Sequence, residues 1–154
     1  MLPERVKALI ALANHEAASI PDFFAIKGPG LGDRATAGFI ASLRRKAESS
    51  LGPGIAEVEI LRNSKVRVDY WFKPERTFVE IALSLRNPLS EFERDVLKAV
   101  VAQPKRGAVK RLVLVGKPGA TKRVASPWYQ TVIKWVKTQG IEVHVEELTP
   151  KSGA

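Results

Sequence analysis

Cysteine is absent from the 154 residues, and histidine occurs only twice, at His15 and His144. The first absence excludes a disulfide framework and any Cys-ligated zinc or iron–sulfur site. Two imidazoles are too few for a His-rich metal centre. A bound metal would therefore rest on oxygen ligands, which favours Mg²⁺, Mn²⁺ or Ca²⁺. No apolar run approaches the roughly 20 residues of a membrane helix. The first residues carry an acid, Glu4, and no apolar stretch leads to a small-residue cleavage site. Neither a membrane partner nor a signal peptide is expected, and a cytoplasmic location follows. One further absence is local. Residues 96–141 hold ten Lys or Arg and no Asp or Glu.

That local absence organises the charge of the whole chain. The net charge is +9, but residues 1–64 carry eight basic and seven acidic side chains, a net of only +1. Residues 65–154 carry seventeen and nine, a net of +8. A long segment of one sign repels itself in the folded state, and a polyanionic partner offsets that repulsion. Nucleic acid is the expected partner, DNA ahead of RNA, with Lys105, Arg106, Lys110, Arg111, Lys117, Lys122 and Arg123 as its contacts. No segment pairs a strong apolar face with a basic face as an interfacial helix does.

The length fits one domain, residues 1–154, with an N-terminal helical extension over about residues 1–32. Val6, Leu9, Ile10 and Ala13 make a helical stripe, and a second stripe follows at Phe39, Ile40, Leu43 and Ala47, with Asp33 as its cap. Between them lies a Gly/Pro-rich loop. Three strands come next, over 55–61, 65–72 and 76–83, joined by short turns as in an antiparallel meander. A helix through Phe92, Val96 and Ala99 leads to the continuous apolar strand "VKRLVLVG", as expected for a sheet centre. The basic stretch "KPGATKRVASP" reads as a loop that could offer backbone N–H groups to phosphate. A last helix, 124–139, carries Trp128, Val132, Trp135 and Val136, with both tryptophans expected in the core, and a last strand covers 141–148. The predicted fold is α/β: a mixed central sheet, a meander followed by β-α-β-α-β, flanked by helices.

Each of two neighbouring strands in the meander has a carboxylate at its centre, Asp69 and Glu80. Aspartate is depleted in strands, and an acid facing a sheet interior is costly to desolvate. A hairpin closed by Lys73-Pro74-Glu75 has paired positions summing to 148, which sets the acids on opposite faces. A one-residue offset brings them together. The structural reading of these acids is neutralisation by Arg67 or Arg76. Further acids weigh less: Glu93 reads as a capping box with Ser90, and Glu48 as a surface ion pair.

Helix, three-strand meander, helix, strand, with Asp69 on the second strand and Glu80 on the third, resembles the PD-(D/E)XK nuclease superfamily of restriction-endonuclease-like fold over about residues 34–148. The resemblance implies that Asp69 and Glu80 are catalytic metal ligands for Mg²⁺ or Mn²⁺ and that the substrate is a phosphodiester. It also implies a lysine two residues after the Glu, where this chain has Ala82. Arg86 is about 13 Å further along the strand. Lys98 lies opposite the apolar stripe of its helix and is expected in solvent. The readings are thus a Mg-dependent nuclease with an incomplete motif, a catalytically inactive nuclease-like binding module, or a subunit whose basic surface contacts RNA or protein. A homodimer is compatible with each.

Overall fold

The computed structural model describes residues 1–25, 31–83, 88–104 and 108–150, with backbone alone at 31–33 and 88–90. Lys105, Arg106, Arg86, most of the first Gly/Pro loop and the side chain of Ser90 lie outside the described residues. The elements in chain order are α1 (Glu4–Ser19), α2 (Leu31–Leu51), β1 (Ala56–Glu59), β2 (Arg67–Phe72), β3 (Thr77–Ile81), α3 (Pro88–Ala102), β4 (Arg111–Gly116), α4 (Ala120–Val124), α5 (Pro127–Thr138) and β5 (Glu142–Glu147).

The described strands form one five-stranded mixed sheet in the order β1-β2-β3-β4-β5. Pairing is antiparallel across β1, β2 and β3, and parallel from β3 through β4 to β5. Connection length decides this. Short turns can join only antiparallel neighbours, whereas α3 and the α4–α5 segment are long enough to return the chain for parallel pairing.

The two faces of the sheet have separate cores. Tyr70, Phe72, Val79, Val113 and Val115 pack with Val6, Leu9 and Ala13 of α1 and Phe39, Leu43 and Ala47 of α2. Trp71, Phe78, Leu112 and Leu114 pack on the other face with Phe92, Val96 and Ala99 of α3 and Tyr129 and Val136 of α5. Arg5 of α1 holds its face to the hairpin tip, with Nε 2.8 Å from Glu75 Oε2 and its guanidinium over the Phe72 ring.

Four expectations are corrected. Residues 120–124 form a short helix inside the segment read as a loop. Helix α2 starts at Leu31, so Asp33 lies inside it and does not cap it. Helix α3 covers Pro88–Ala102, so Ser90 lies within the helix rather than at the N-cap position that a capping box with Glu93 uses. The inner line of α5 is Tyr129, Val132 and Val136, and Trp128 and Trp135 face outward, each about half exposed. Seven-residue spacing places two side chains on one stripe but leaves open which way the stripe faces. Among the described residues, no helix is long and apolar enough to cross a membrane.

Candidate functional site

The register of the β2–β3 hairpin decides what the two strand acids can do. Tyr70 pairs with Val79, Trp71 with Phe78 and Phe72 with Thr77, so paired positions sum to 149, one more than a turn of Lys73-Pro74-Glu75 alone gives. The extra residue is Arg76, held at φ +52, with its N–H donating to Lys73 O at 3.1 Å. A left-handed residue at the end of a four-residue hairpin loop lengthens it by the one position needed. Continuing this register places Asp69 opposite Glu80, on the sheet face that α3 covers. Asp69 Oδ2 accepts the backbone N–H of Ile81 at 2.7 Å, and the Asp69 and Glu80 carboxyls lie within hydrogen-bond reach.

Helix α3 adds two side chains. Lys98 Nζ is 3.1 Å from Glu80 Oε1 and 3.6 Å from Asp95 Oδ1. Glu80 and Asp95 are only 4% and 3% exposed, and the Lys98 side chain 14%. The expectation that Lys98 faces solvent is overturned. Its Cα is on the flank of the helix, but its four-carbon stem reaches back along α3 and delivers the ammonium to the carboxylates. Asp95, three residues earlier on the same flank, was missed outright. Its signal in the sequence is the Asp-x-x-Lys spacing on the helix that follows the Glu80 strand.

The electrostatics are unbalanced. Lys98 contacts Glu80 and Asp95, and Asp69 lies beside Glu80, so three carboxylates and one ammonium carry a formal charge of −2 when all are ionised. Burial pushes the Glu80 carboxyl well above the usual carboxylate range, and the charges of Asp69 and Asp95 push it further, against the pull of Lys98. Burial likewise raises Asp95, with Lys98 opposing and Glu91 and Asp69 adding to the rise. Both carboxyls are held above their usual range because burial and the neighbouring acids outweigh the pull of the nearby cations.

Compared with family models, curated proteins and solved structures, the chain matches none. The chemistry of the site therefore rests on its own donors.

Those donors suit a hard dication. Mg²⁺ is usually held by one or two carboxylates, with water and substrate phosphate completing its shell, so the Asp69–Glu80 pair is a sufficient protein contribution. A charge of +2 also cancels the local −2. Among the described residues no three acids or histidines already converge on one point as ligands. Lys98 lies between Glu80 and Asp95, so Asp69 and Glu80 are the acids that could hold an ion.

The other candidate acids have structural partners. Glu48 accepts the N–H groups of Gly54 at 2.7 Å and Ala56 at 2.9 Å, tying α2 to the start of β1 rather than making a surface ion pair. Glu93 is exposed and accepts from Trp128 Nε1 at 2.9 Å. Arg67 donates to the backbone oxygen of Glu57, and the cation beside Glu80 is Lys98. Trp71 is buried edge-on against Phe78 at 4.9 Å. His144, on β5, sits 3.4 Å from Glu142.

The basic residues divide between the two ends of the sheet. Arg111 pairs with Thr77 at the start of β4 and donates to Thr77 Oγ1 at 3.1 Å. Lys110 precedes it. Glu80 pairs with Leu114, three residues and about 10 Å further along. Lys117, with its ammonium over the Phe23 ring, and the exposed Lys122 and Arg123 follow β4, at the carboxylate end of the parallel strands. The backbone N–H groups of Gly119 and Thr121, read as phosphate donors, instead bind the Glu147 carboxylate at 3.0 Å each. Those bonds hold Glu147 below the usual carboxylate range.

Proposed function

We propose that this chain is a nucleic-acid-binding protein of the PD-(D/E)XK nuclease type that cleaves phosphodiesters with Mg²⁺ or Mn²⁺. The observation that carries the reading is the cluster of buried Glu80 and Asp95 with half-buried Asp69 and Lys98, which has one acid on each of two paired strands and a lysine beside the second acid. The element order supports it. The run α2, β1, β2, β3, α3, β4, with an antiparallel meander and a parallel fourth strand, is the order that suggested the restriction-endonuclease-like fold.

Asp69 and Glu80 would hold the ion, which supplies Lewis acidity at the scissile phosphate. The Ile81 N–H donates to Asp69 Oδ2 at 2.7 Å and so orients this carboxylate. Lys98 supplies the cation that Ala82 cannot. Its ammonium donates to Glu80 at 3.1 Å and faces Asp95 at 3.6 Å, and it would offer its remaining N–H capacity to a phosphate oxygen or an attacking water. Lys122 and Arg123 lie at the same end of the strands as the carboxylates, where they could hold a polyanion, while Lys117 lies over Phe23 on the α1–α2 face.

The short Lys98–Glu80 contact favours a second reading, an inactive binding module in which the ammonium stands permanently in the ligand place. A cleavage assay on labelled DNA and RNA separates the two. The nuclease reading expects products with Mg²⁺ or Mn²⁺, none in EDTA, and loss of at least about a hundredfold in Asp69→Asn with binding retained. It also expects Lys98→Ala to lose activity and Ala82→Lys in that background to restore part of it. Cleavage that persists in EDTA and in Asp69→Asn would defeat the mechanism. Binding without cleavage under every metal condition would establish the module.

A further inference from the structure

The outward side of the α3–α5 pair carries apolar surface that no described residue covers. Leu97 is 58% exposed, Trp128 52%, Trp135 51% and Val101 38%. The two helices run side by side in the same direction. Trp128 Nε1 donates to Glu93 Oε1 near their starts, and Gln103 Nε2 donates to the Gln139 backbone oxygen at 3.2 Å near their ends. Leu97 and Val101 follow Glu93 at four-residue steps, so they share the flank that faces α5. Trp128 and Trp135 are two turns apart on one stripe, about 10.5 Å along the axis. The four side chains therefore make one strip along the seam between the helices.

We infer that this strip is the interface through which two copies of the chain associate as a homodimer. Two half-exposed tryptophans, a leucine and part of a valine present about 350–400 Å² of apolar surface. A standard interface takes about 800 Å² from each partner, of which about 450–500 Å² is apolar, so the strip supplies most of what a stable dimer needs. Its rim is polar and of mixed sign, with exposed Glu93 and Arg94 near one end and Lys134 toward the other. A surface with both signs can pair with a copy of itself. The Glu93 bond holds the Trp128 indole in place, so little ordering cost remains when a partner covers it. Nucleic acid fits this face less well. Its most exposed apolar members include the aliphatic Leu97, which no phosphate or base edge matches, and its acid lies on the rim.

The inference is independent of the nuclease reading, and its salt dependence has the opposite sign. The chain carries +9, so two copies repel at long range, and added salt screens that repulsion. Sedimentation equilibrium of the full chain should show a species of twice 16.9 kDa whose formation strengthens between 50 and about 500 mM salt. Leu97→Glu and Trp135→Glu should each weaken association by at least about thirtyfold, as expected at the centre of an interface. Both should keep the wild-type circular dichroism and melting temperature measured on the monomer. A wild type that stays monomeric across concentration and salt would overturn the inference. So would a dimer insensitive to both substitutions, or a monomer whose exposed tryptophans are quenched by a single-stranded oligonucleotide.

Discussion

Each face of the sheet buries a glutamate beside a lysine, and the two glutamates behave oppositely. On the α1–α2 face, Glu16 is bound by Lys46, and that lysine is 44% exposed. Burial opposes ionisation of Glu16, but the bonds from Lys46 and Ser42 outweigh it and hold the carboxyl below its usual range. On the α3–α5 face, Glu80 is deeper, and its lysine is shared with Asp95 while Asp69 sits alongside. Its carboxyl is pushed up. A rim ion pair with its own cation is complete as built, whereas a cluster of three acids on one ammonium is short of positive charge. The first arrangement holds helices together. In the proposed reading, the second is completed by a metal ion.

The comparison can be broken by four measurements. The largest effect belongs to the structural face. Leu43→Ala empties a fully buried position on α2 and should cost about 2–5 kcal/mol in denaturant unfolding. Metal binding by the folded fraction should be unchanged.

The sharpest contrast comes from one substitution made twice. At pH 8 in EDTA, Glu80→Gln removes the cost of keeping a desolvated, crowded carboxyl protonated and leaves Lys98 its contact with Asp95. The melting temperature should rise by several degrees, on the order of 1–2 kcal/mol. Glu16→Gln removes a completed pair and should lower stability by about 1 kcal/mol, screened because Lys46 is half exposed. Equal signs would end the distinction between the faces.

The pH dependence follows with opposite slopes. Glu80 and Asp95 have folded pKa values above their unfolded ones. Their contribution is fully present below the ordinary carboxylate range and is lost as pH rises through the raised folded values. Glu16 contributes above its ordinary value and loses that contribution as pH falls through its depressed one. Unfolding in EDTA across pH 3 to 9 should therefore show wild type losing stability toward high pH, with the loss much reduced in Glu80→Gln. The smallest effect is at Trp135. Replacing that half-exposed residue by Ala should change monomer stability by no more than about 0.5 kcal/mol.

Most element positions were legible in the sequence because apolar periodicity is a local property. The stripes of Phe39, Leu43 and Ala47 and of Phe92, Val96 and Ala99 are fully or nearly fully buried. The identities of Asp69 and Glu80 were legible too, as acids where strands rarely hold them. What the sequence concealed depends on geometry over longer distances. The relation between the two acids turns on the left-handed Arg76, and no residue preference marks an arginine for that conformation. Lys98 was hidden because helical periodicity locates its Cα, while the reach of its stem decides where the charge goes. The exposed tryptophans misled because their seven-residue spacing fixes one helical stripe but not whether that stripe faces the sheet or away from it.

The most direct test is a calorimetric titration of metal-free protein with Mn²⁺ at pH 8, wild type beside Asp69→Asn and Glu16→Gln. Wild type should bind at the cluster and, at a hundred times Kd, gain about 2.7 kcal/mol of stability. Glu16→Gln should titrate like wild type, while Asp69→Asn should bind at least about tenfold more weakly and lose that gain. Equal Mn²⁺ affinity in wild type and Asp69→Asn, or no binding by a folded wild type, would contradict the assignment of this cluster as the metal site.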